Sequence, residues 1–541
     1  MFTEEEKKIL KKYVTSTEDG VFAVKGMEGM VGAAYARYSR AQGGFREVLL
    51  KEFLREGAID PKHADELIER ILIAYGDDSV GELEGAHVSF ENISMLATKE
   101  IEDRRIGGSP IEQSTRYVFY DMKNDRDEWR YLHDESLVRA GFGKQYTETM
   151  NFIFETYAWL VEPMKAYFKN LKPIERAEYD INGDGIKETY ADLTEEKDQK
   201  AFKTTYNFDL RSKACDTLRA LLPLATLTNV GMFGNGRFYQ TVISHMMTTD
   251  IPEVQKIAKK TLSATGEVIP QYVRRAKRSD YLVKIRDNMF ALARRLFGND
   301  DPEVPNVLPK VKLLKESDRD VSMIAAMLFP FCNKSLSTLR VLVGKMSGEE
   351  RKEIINTYIG DRKTRRDRPG RALEDGYPYS FGMVTNWGVY KDLMRHRMNS
   401  QQRQLFTSKI GFETPEEIKI AGFEQQALEC VKKADELYDA IADESPLLAQ
   451  YAVLHGHFVR WSIAMNDREA MHLIELRTTP QGHPQYRKIC QIMHKLISER
   501  SSWRGKMTKF VDHNDYYWSR ADSEAKQRVK ERRLEEKLSN P

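Results

Sequence analysis

Residues 388–407 read GVYKDLMRHRMNSQQRQLFT. Trp387, Tyr390, Leu393, Met394 and Arg397 fall at helical spacing, which predicts a helix whose apolar stripe runs into a guanidinium. Arg395, His396 and Arg397 are followed by Asn399, Ser400, Gln401, Gln402 and Arg403, with no carboxylate among them. So many forked and amide donors suit an anionic, hydrogen-bond-rich ligand such as a nucleotide or a phosphorylated cofactor. A solvated basic helix end, favoured by the helix dipole, is the plainer alternative.

The chain around this stretch has 541 residues, enough to bury a large core. Its net charge of +2 makes no global case for a nucleic-acid or membrane partner, so a basic site has to be local. Cys215, Cys332, Cys430 and Cys490 lie far apart, without a CxxC pair. That spacing fits a reducing compartment, with neither a disulfide framework nor a zinc or other metal site. No apolar run approaches the roughly 18–20 residues of a membrane span. The N-terminus, acidic and then basic, does not read as a signal peptide; Thr3 with Glu6 reads as a capping box. The expected location is cytoplasmic.

Residues 1–75 and 87–105 read as largely helical, separated by the loop GDDSVGE at 76–82. RRIGGSPIEQSTRYVFYD (104–121) breaks at Gly107, Gly108 and Pro110 and resumes as the strand-like RYVFY. Within 122–206 a helix is expected around Tyr146–Leu171. DINGDGIKETYAD (180–192) resembles the start of a calcium loop, but its twelfth position is Ala191, which favours an Asx-type turn. Arg219 lies in an otherwise apolar helix and either snorkels or reaches an anion. Helices are expected at 252–268, 282–297 and 417–443, and Ala470, Leu473 and Arg477 share a stripe ended by Thr478-Thr479-Pro480. The tail from Ser519 reads as a charged helix. The Pro- and Asp-rich stretch at 299–310 suggests a domain boundary.

The halves on either side of that boundary repeat one another. Asn235-Gly236-Arg237 precedes an apolar helix as Asn466-Asp467-Arg468 does, and the segment from Arg104 corresponds to that from Arg395. Two tandem copies are therefore expected, about 1–300 (with an insert at about 122–206) and 301–541. Asn235 and Asn466 suit helix N-caps as well as they suit ligand contacts.

Arg395-His396-Arg397-x-x-Ser400 resembles the opening of the signature of flavin-dependent thymidylate synthases, R-H-R-x-x-S-x-N-x-x-S-x-R-Y. In the first copy Arg104, Ser109, Ser114, Arg116 and Tyr117 match the same frame, while Arg105, Ile106 and Ile111 depart from it. In the second copy Gln402, Leu405, Thr407 and Ser408 depart at the far end. Asn466-x-Arg468, Leu476-Arg477, His483 and Gln485 resemble the family's C-terminal segment, where the first copy has Met246 in place of the last arginine. Arg219-x-x-x-Pro223 resembles a phosphate-contacting segment whose counterpart is Gln450 to Leu454, and GDDSVGE resembles G-H-x-S-v-x-E with Asp77 for His. The losses in the two copies are complementary.

The resemblance implies an α+β fold with a mainly antiparallel sheet and flanking helices. It implies reductive methylation of dUMP to dTMP, with methylene-tetrahydrofolate as carbon donor and FAD, reduced by NADPH, as cofactor. By the same resemblance Glu112, Ser114, Thr115, Arg116, Arg219 and Arg395 bind the nucleotide. Arg477 faces the pyrimidine as the catalytic residue, and Ser79, Arg395, His396, Arg397, Asn466, Arg468 and His472 hold the flavin. Family members are homotetramers, so a two-copy chain is expected to dimerise and to complete its sites between copies. Plainer readings make Arg477 a helix C-terminal cation and His396 a partly buried histidine. A non-catalytic flavin- or nucleotide-binding paralogue is the competing function. An RNA-associated protein would rest only on basic runs such as DRKTRRDR, starting at Asp361.

Overall fold

The computed structural model describes the chain apart from residues 1, 28–29, 40, 56–57, 60–80, 299–300, 315–318, 362–369, 375–378, 501, 503–504, 506–507, 519, 521–523, 532–533 and 535–541. Ser79, Asp77 and most of the basic run after Asp361 lie outside the described residues. Two compact units are present. The smaller comprises 1–93, 97–112 and 228–283, and the larger 94–96, 113–227 and 284–541.

The smaller unit is built on strands β1 (Gly85–Ser94), β2 (Gly108–Glu112) and β3 (Leu227–Asn235), ordered β1-β3-β2. Helix α1 (Met95–Glu102) follows β1, and α2 (Gly236–Thr248) and α3 (Pro252–Val268) follow β3. The strand at 85–94 corrects the helical reading of 87–105. The strand-like segment is also displaced: 108–112 pairs antiparallel with β3, whereas Arg116 and Tyr117 lie in a turn. Among the described residues β2 is an edge strand, a position in a sheet that tolerates a proline such as Pro110. Gly108 and Gly234 face each other across the β2–β3 pair because a Cβ on either would collide with the Phe238 ring. Among the described residues before 60, Glu4–Leu10 and Val31–Tyr38 are the longer α-helices, and the helix read at 62–75 lies outside the described residues. Thr3 and Glu6 do form the capping box.

The larger unit holds β4 (Lys310–Leu313), β5 (Tyr379–Asn386), β6 (Asn399–Arg403) and β7 (Phe458–Met465), ordered β6-β7-β5-β4 with every pair antiparallel. Its sheet repeats the smaller one, with β5, β7 and β6 in the places of β1, β3 and β2, plus the extra edge strand β4. Helix α4 (Trp387–Leu393) follows β5, and α5 (Asp467–Arg477) and α6 (Pro484–Arg500) follow β7. Asn235 Oδ1 accepts from Phe238 N, Asn386 Oδ1 from Val389 N and Asn466 Oδ1 from Glu469 N, so a strand–Asn cap–helix unit recurs three times. The helix predicted to reach Arg397 stops at Leu393; the polar run beyond it is strand β6, paired in register from Asn399↔Met465 to Arg403↔Trp461.

The insert contributes a helix at Gly143–Leu171 and another at Glu196–Leu218. Between them Asp180 accepts from Gly183 N and Gly185 N, an Asx-type closure of the segment that resembled a calcium loop. Beyond the second helix, equivalent turns of the two copies pair with each other. Leu224 N donates to Val453 O and His455 N to Leu222 O; Ala225 N donates to Tyr451 O and Gly456 N to Ala220 O. Reciprocal bonds between equivalent positions define a local pseudo-two-fold, the internal version of an isologous dimer contact.

Candidate functional site

The paired turns bring Arg219 of the first copy against α4 of the second. It sits at the end of Glu196–Leu218, 3% exposed, where its side chain cannot snorkel to water. Its Nη1 donates to Asp392 Oδ2 at 3.2 Å, and its buried Nη2 has no hydrogen-bond partner among the described residues. A Cβ on Gly388 would stand 3.2 Å from that Nη2, so glycine at the second helical position leaves the space the guanidinium fills. Of the two readings, Arg219 reaches an anion. Burial pushes the Asp392 carboxyl up, but Arg219, then Arg395, Arg116 and Lys391, outweigh it and hold its pKa below the ordinary value.

Arg116 leaves the turn after β2 and forms a fork with Asp216, Nε to Oδ1 and Nη2 to Oδ2, both at 2.6 Å. Its Nη1 donates to Gln481 O, just beyond α5. Burial disfavours the charged guanidinium, but Asp216 more than offsets it and the Arg116 pKa is raised. His483 is buried with its Nε2 3.4 Å from Asp216 O, while its Nδ1 accepts from Gln485 N. Burial, then Arg219 and Arg116, hold it far below an ordinary histidine pKa, so the imidazole is neutral. Ser114 Oγ accepts from Arg116 N and shapes the turn, and Thr115 is buried beside it.

On the second-copy side His396 is 6% exposed. Its Nδ1 lies 3.0 Å from Glu469 Oε1, and Arg477 Nε donates to its Nε2 at 2.9 Å. Tyr486 joins the two clusters: its ring lies 5.7 Å from the Arg477 guanidinium and 6.3 Å from the His483 ring, and it acts electrostatically on Arg116. Arg116, Arg219, Arg395, His396 and Arg477 thus gather in the larger unit of a single chain. Arg397 and His472 are exposed, the His472 ring 5.5 Å from that of His396. Asn466 is a cap, and Arg468 lies in the first turn of α5, its side chain outside the described residues.

Glu112 belongs to the smaller unit. There its carboxylate meets buried Lys99 at 3.2 Å, which Glu102 also meets at 2.6 Å. Sequence reading missed Asp216, Asp392 and Glu469, the carboxylates that hold the arginines and the histidine. It also missed Arg520, which stacks 4.4 Å over the ring of Tyr117 from the tail that reads as a charged helix. Asp392 was findable, since it precedes Arg395 by one helical turn. The thiols hold no poised nucleophile: burial pushes Cys430 and Cys490 up to about 12 and Cys332 up to about 11.

A duplicated sheet-and-helix unit, with a buried group of guanidiniums where the copies pair, defines an α+β protein of two tandem copies. The chain belongs to the family described as thymidylate synthase complementing protein, a flavin-dependent family, matched over residues 26–271 and again over 312–501. It is 34% identical to a UPF0159 protein of Chlamydia muridarum (strain MoPn / Nigg) across 98% of this chain and 99% of that one. Another UPF0159 protein, from Chlamydia pneumoniae, is 34% identical over 97% of each chain. A third, from Thermoplasma acidophilum, is 32% identical over 92% of this chain and 98% of its own. Among the described residues no helix is long and apolar enough to cross a membrane.

Proposed function

We propose that the chain is a flavin-dependent thymidylate synthase that converts dUMP to dTMP, with the carbon taken from methylene-tetrahydrofolate and the flavin reduced by NADPH. The carrying observation is that Arg219 and Arg116, from the copy that lacks the last arginine, lie in one cluster with His396 and Arg477, from the copy that lacks them. The unpartnered Nη2 of Arg219 fits an added anionic oxygen, the charge-assisted contact a nucleotide phosphate offers. Ser114 and Thr115 shape the turn that presents Arg116. Exposed Arg397 and His472, beside Arg395, supply the donor set for FAD, with Ser79 and Arg468 assigned to it by the family pattern. FAD, when bound, supplies the hydride. Arg477, 5.7 Å from the Tyr486 ring, stabilises the negative charge that develops on the uracil ring, and no cysteine attacks it.

The copy boundary near residue 300 and a homodimer carrying one such cluster per chain belong to the same reading. A specific observation favours the non-catalytic alternative: the forks of Arg116 and Arg219 are turned to Asp216 and Asp392, which a phosphate would have to share or displace. Tritium release from [5-³H]dUMP with FAD, NADPH and methylene-tetrahydrofolate separates the two. Release that depends on all three supports the synthase. Binding of dUMP and FAD with no release establishes the paralogue, and failure to bind either overturns both.

A further inference from the structure

We infer that Glu469 is a positioning residue for Arg477, acting through His396. The inference rests on the reading of Arg477 as the group facing the pyrimidine, and it assigns work to a glutamate outside the family signature. A guanidinium N–H can only donate, so the His396 Nε2 that meets Arg477 Nε at 2.9 Å must be an acceptor. The proton of the neutral ring then sits on Nδ1 and is given to Glu469 Oε1 at 3.0 Å. Glu469 fixes the tautomer and the tautomer fixes the guanidinium. Without that carboxylate the ring is free to carry its proton on Nε2, where it would oppose Arg477 N–H to N–H.

Glu469 is itself held at the start of α5, where its backbone N–H donates to Asn466 Oδ1 and the helix N-terminus favours its negative charge. Asn399 Nδ2 lies 3.5 Å from the same Oε1, and Gln401 Nε2 donates to Asn399 Oδ1 at 2.7 Å, so strand β6 supports the carboxylate from the other side. Among the described residues, the titratable groups acting on His396 include Glu469, Arg477 and His472 on α5. Burial, then Arg477 and His472, lower its pKa against the opposing pull of Glu469, which agrees with a neutral ring. In the first copy the chain is lost as a unit. Counted from the caps and from the signature, Phe238 stands for Glu469, Arg105 for His396 and Met246 for Arg477.

The test is the full-length protein with ¹⁵N-labelled histidine, together with turnover of Glu469→Ala and Glu469→Gln. Wild type should show His396 as the Nδ1–H tautomer. Glu469→Ala should lose that signal and drop kcat about 10- to 100-fold, as expected for a misaligned guanidinium, with KM for dUMP and bound flavin kept. Glu469→Gln, whose carbonyl can still accept the Nδ1 proton, should recover most of kcat and move the acid limb of the kcat profile to lower pH. Should Glu469→Ala not fold, the tautomer and that acid limb decide the matter in wild type and Glu469→Gln. An Nε2–H tautomer in wild type, an unchanged kcat in Glu469→Ala, or an acid limb that stays put in Glu469→Gln overturns the inference. Wild-type protein with no tritium release would instead sink the reading of the reaction, while the tautomer still decides the positioning.

Discussion

Arg219 and Gln450 occupy equivalent positions in the paired turns, and they do opposite things. Arg219 reaches across to Asp392 with a nitrogen left over, whereas Gln450 turns inward, accepting from Phe406 N and donating to Leu447 O. Around Gln450 the other two anion-handling groups are gone as well, since Thr407 stands for Arg116 and Leu447 for Asp216. A duplicated chain folding on its own pseudo-two-fold needs the two turns equally for the backbone contact, and on the proposed function it needs only one of them to hold a ligand. The backbone bonds are therefore symmetric while the side chains are not.

Exchanging residues between the copies tests that asymmetry. The largest effect is expected from Arg477→Met, which installs the first copy's Met246. Turnover should fall about 100- to 1000-fold, the scale of losing one transition-state donor, with dUMP affinity by calorimetry retained. Arg219→Gln, the second copy's residue, leaves Asp392 buried without its guanidinium. A loss of about 3–5 kcal/mol of stability is expected in denaturant titration, together with loss of dUMP binding.

Acid should weaken the site before it weakens the rest of the molecule. His396 and His483 have folded pKa values below the unfolded one, so their contribution to stability is complete above about pH 6.5 and is lost as pH falls through the lowered values. Asp392, also lowered, begins to give way only below its ordinary 3.8. Melting temperature should therefore begin to fall below about pH 6.5, and His483→Gln should shallow that fall. Gly388→Ala should cost little in folding, because the helical gain of Ala, about 1 kcal/mol, opposes the 3.2 Å contact with Arg219 Nη2. A several-fold weaker dUMP affinity at nearly unchanged stability is the expected pattern.

The smallest effect belongs to the smaller unit. There His245 lies between Arg104, 3.1 Å from Nδ1, and Glu100, 3.2 Å from Nε2, the same order of groups as in the second copy but drawn from other positions. His245→Ala should leave turnover unchanged in the tritium assay. A loss as large as that of Glu469→Ala would mean that the two chains of groups share one task.

The duplication, the caps at Asn235 and Asn466 and the copies' complementary losses were legible because each is local: a spacing, a cap or a motif in frame. The family is shown by the two matched regions. Strand β6 was not legible, since Asn399–Arg403 has no apolar alternation and becomes a strand only by pairing with β7. Strand β1 was missed because its apolar residues run on into α1 without a break. The partners of the arginines were missed because Asp216 and Arg116 are 100 residues apart and Arg219 and Asp392 173 apart, contacts that only tertiary structure creates. Arg116 and Asp216 of the first copy meet Gln481 and His483 of the second within one chain, and the proposed reading places the meeting of the two half-motifs there as well.

That placement is the central claim, and co-expression of Arg116→Ala and Arg477→Ala chains tests it most directly. With both arginines needed in the same chain, purified mixed protein should release no more tritium from [5-³H]dUMP than the two variants assayed separately. Recovery of a substantial fraction of wild-type turnover in the mixture would show that the halves meet between chains, and would contradict the account.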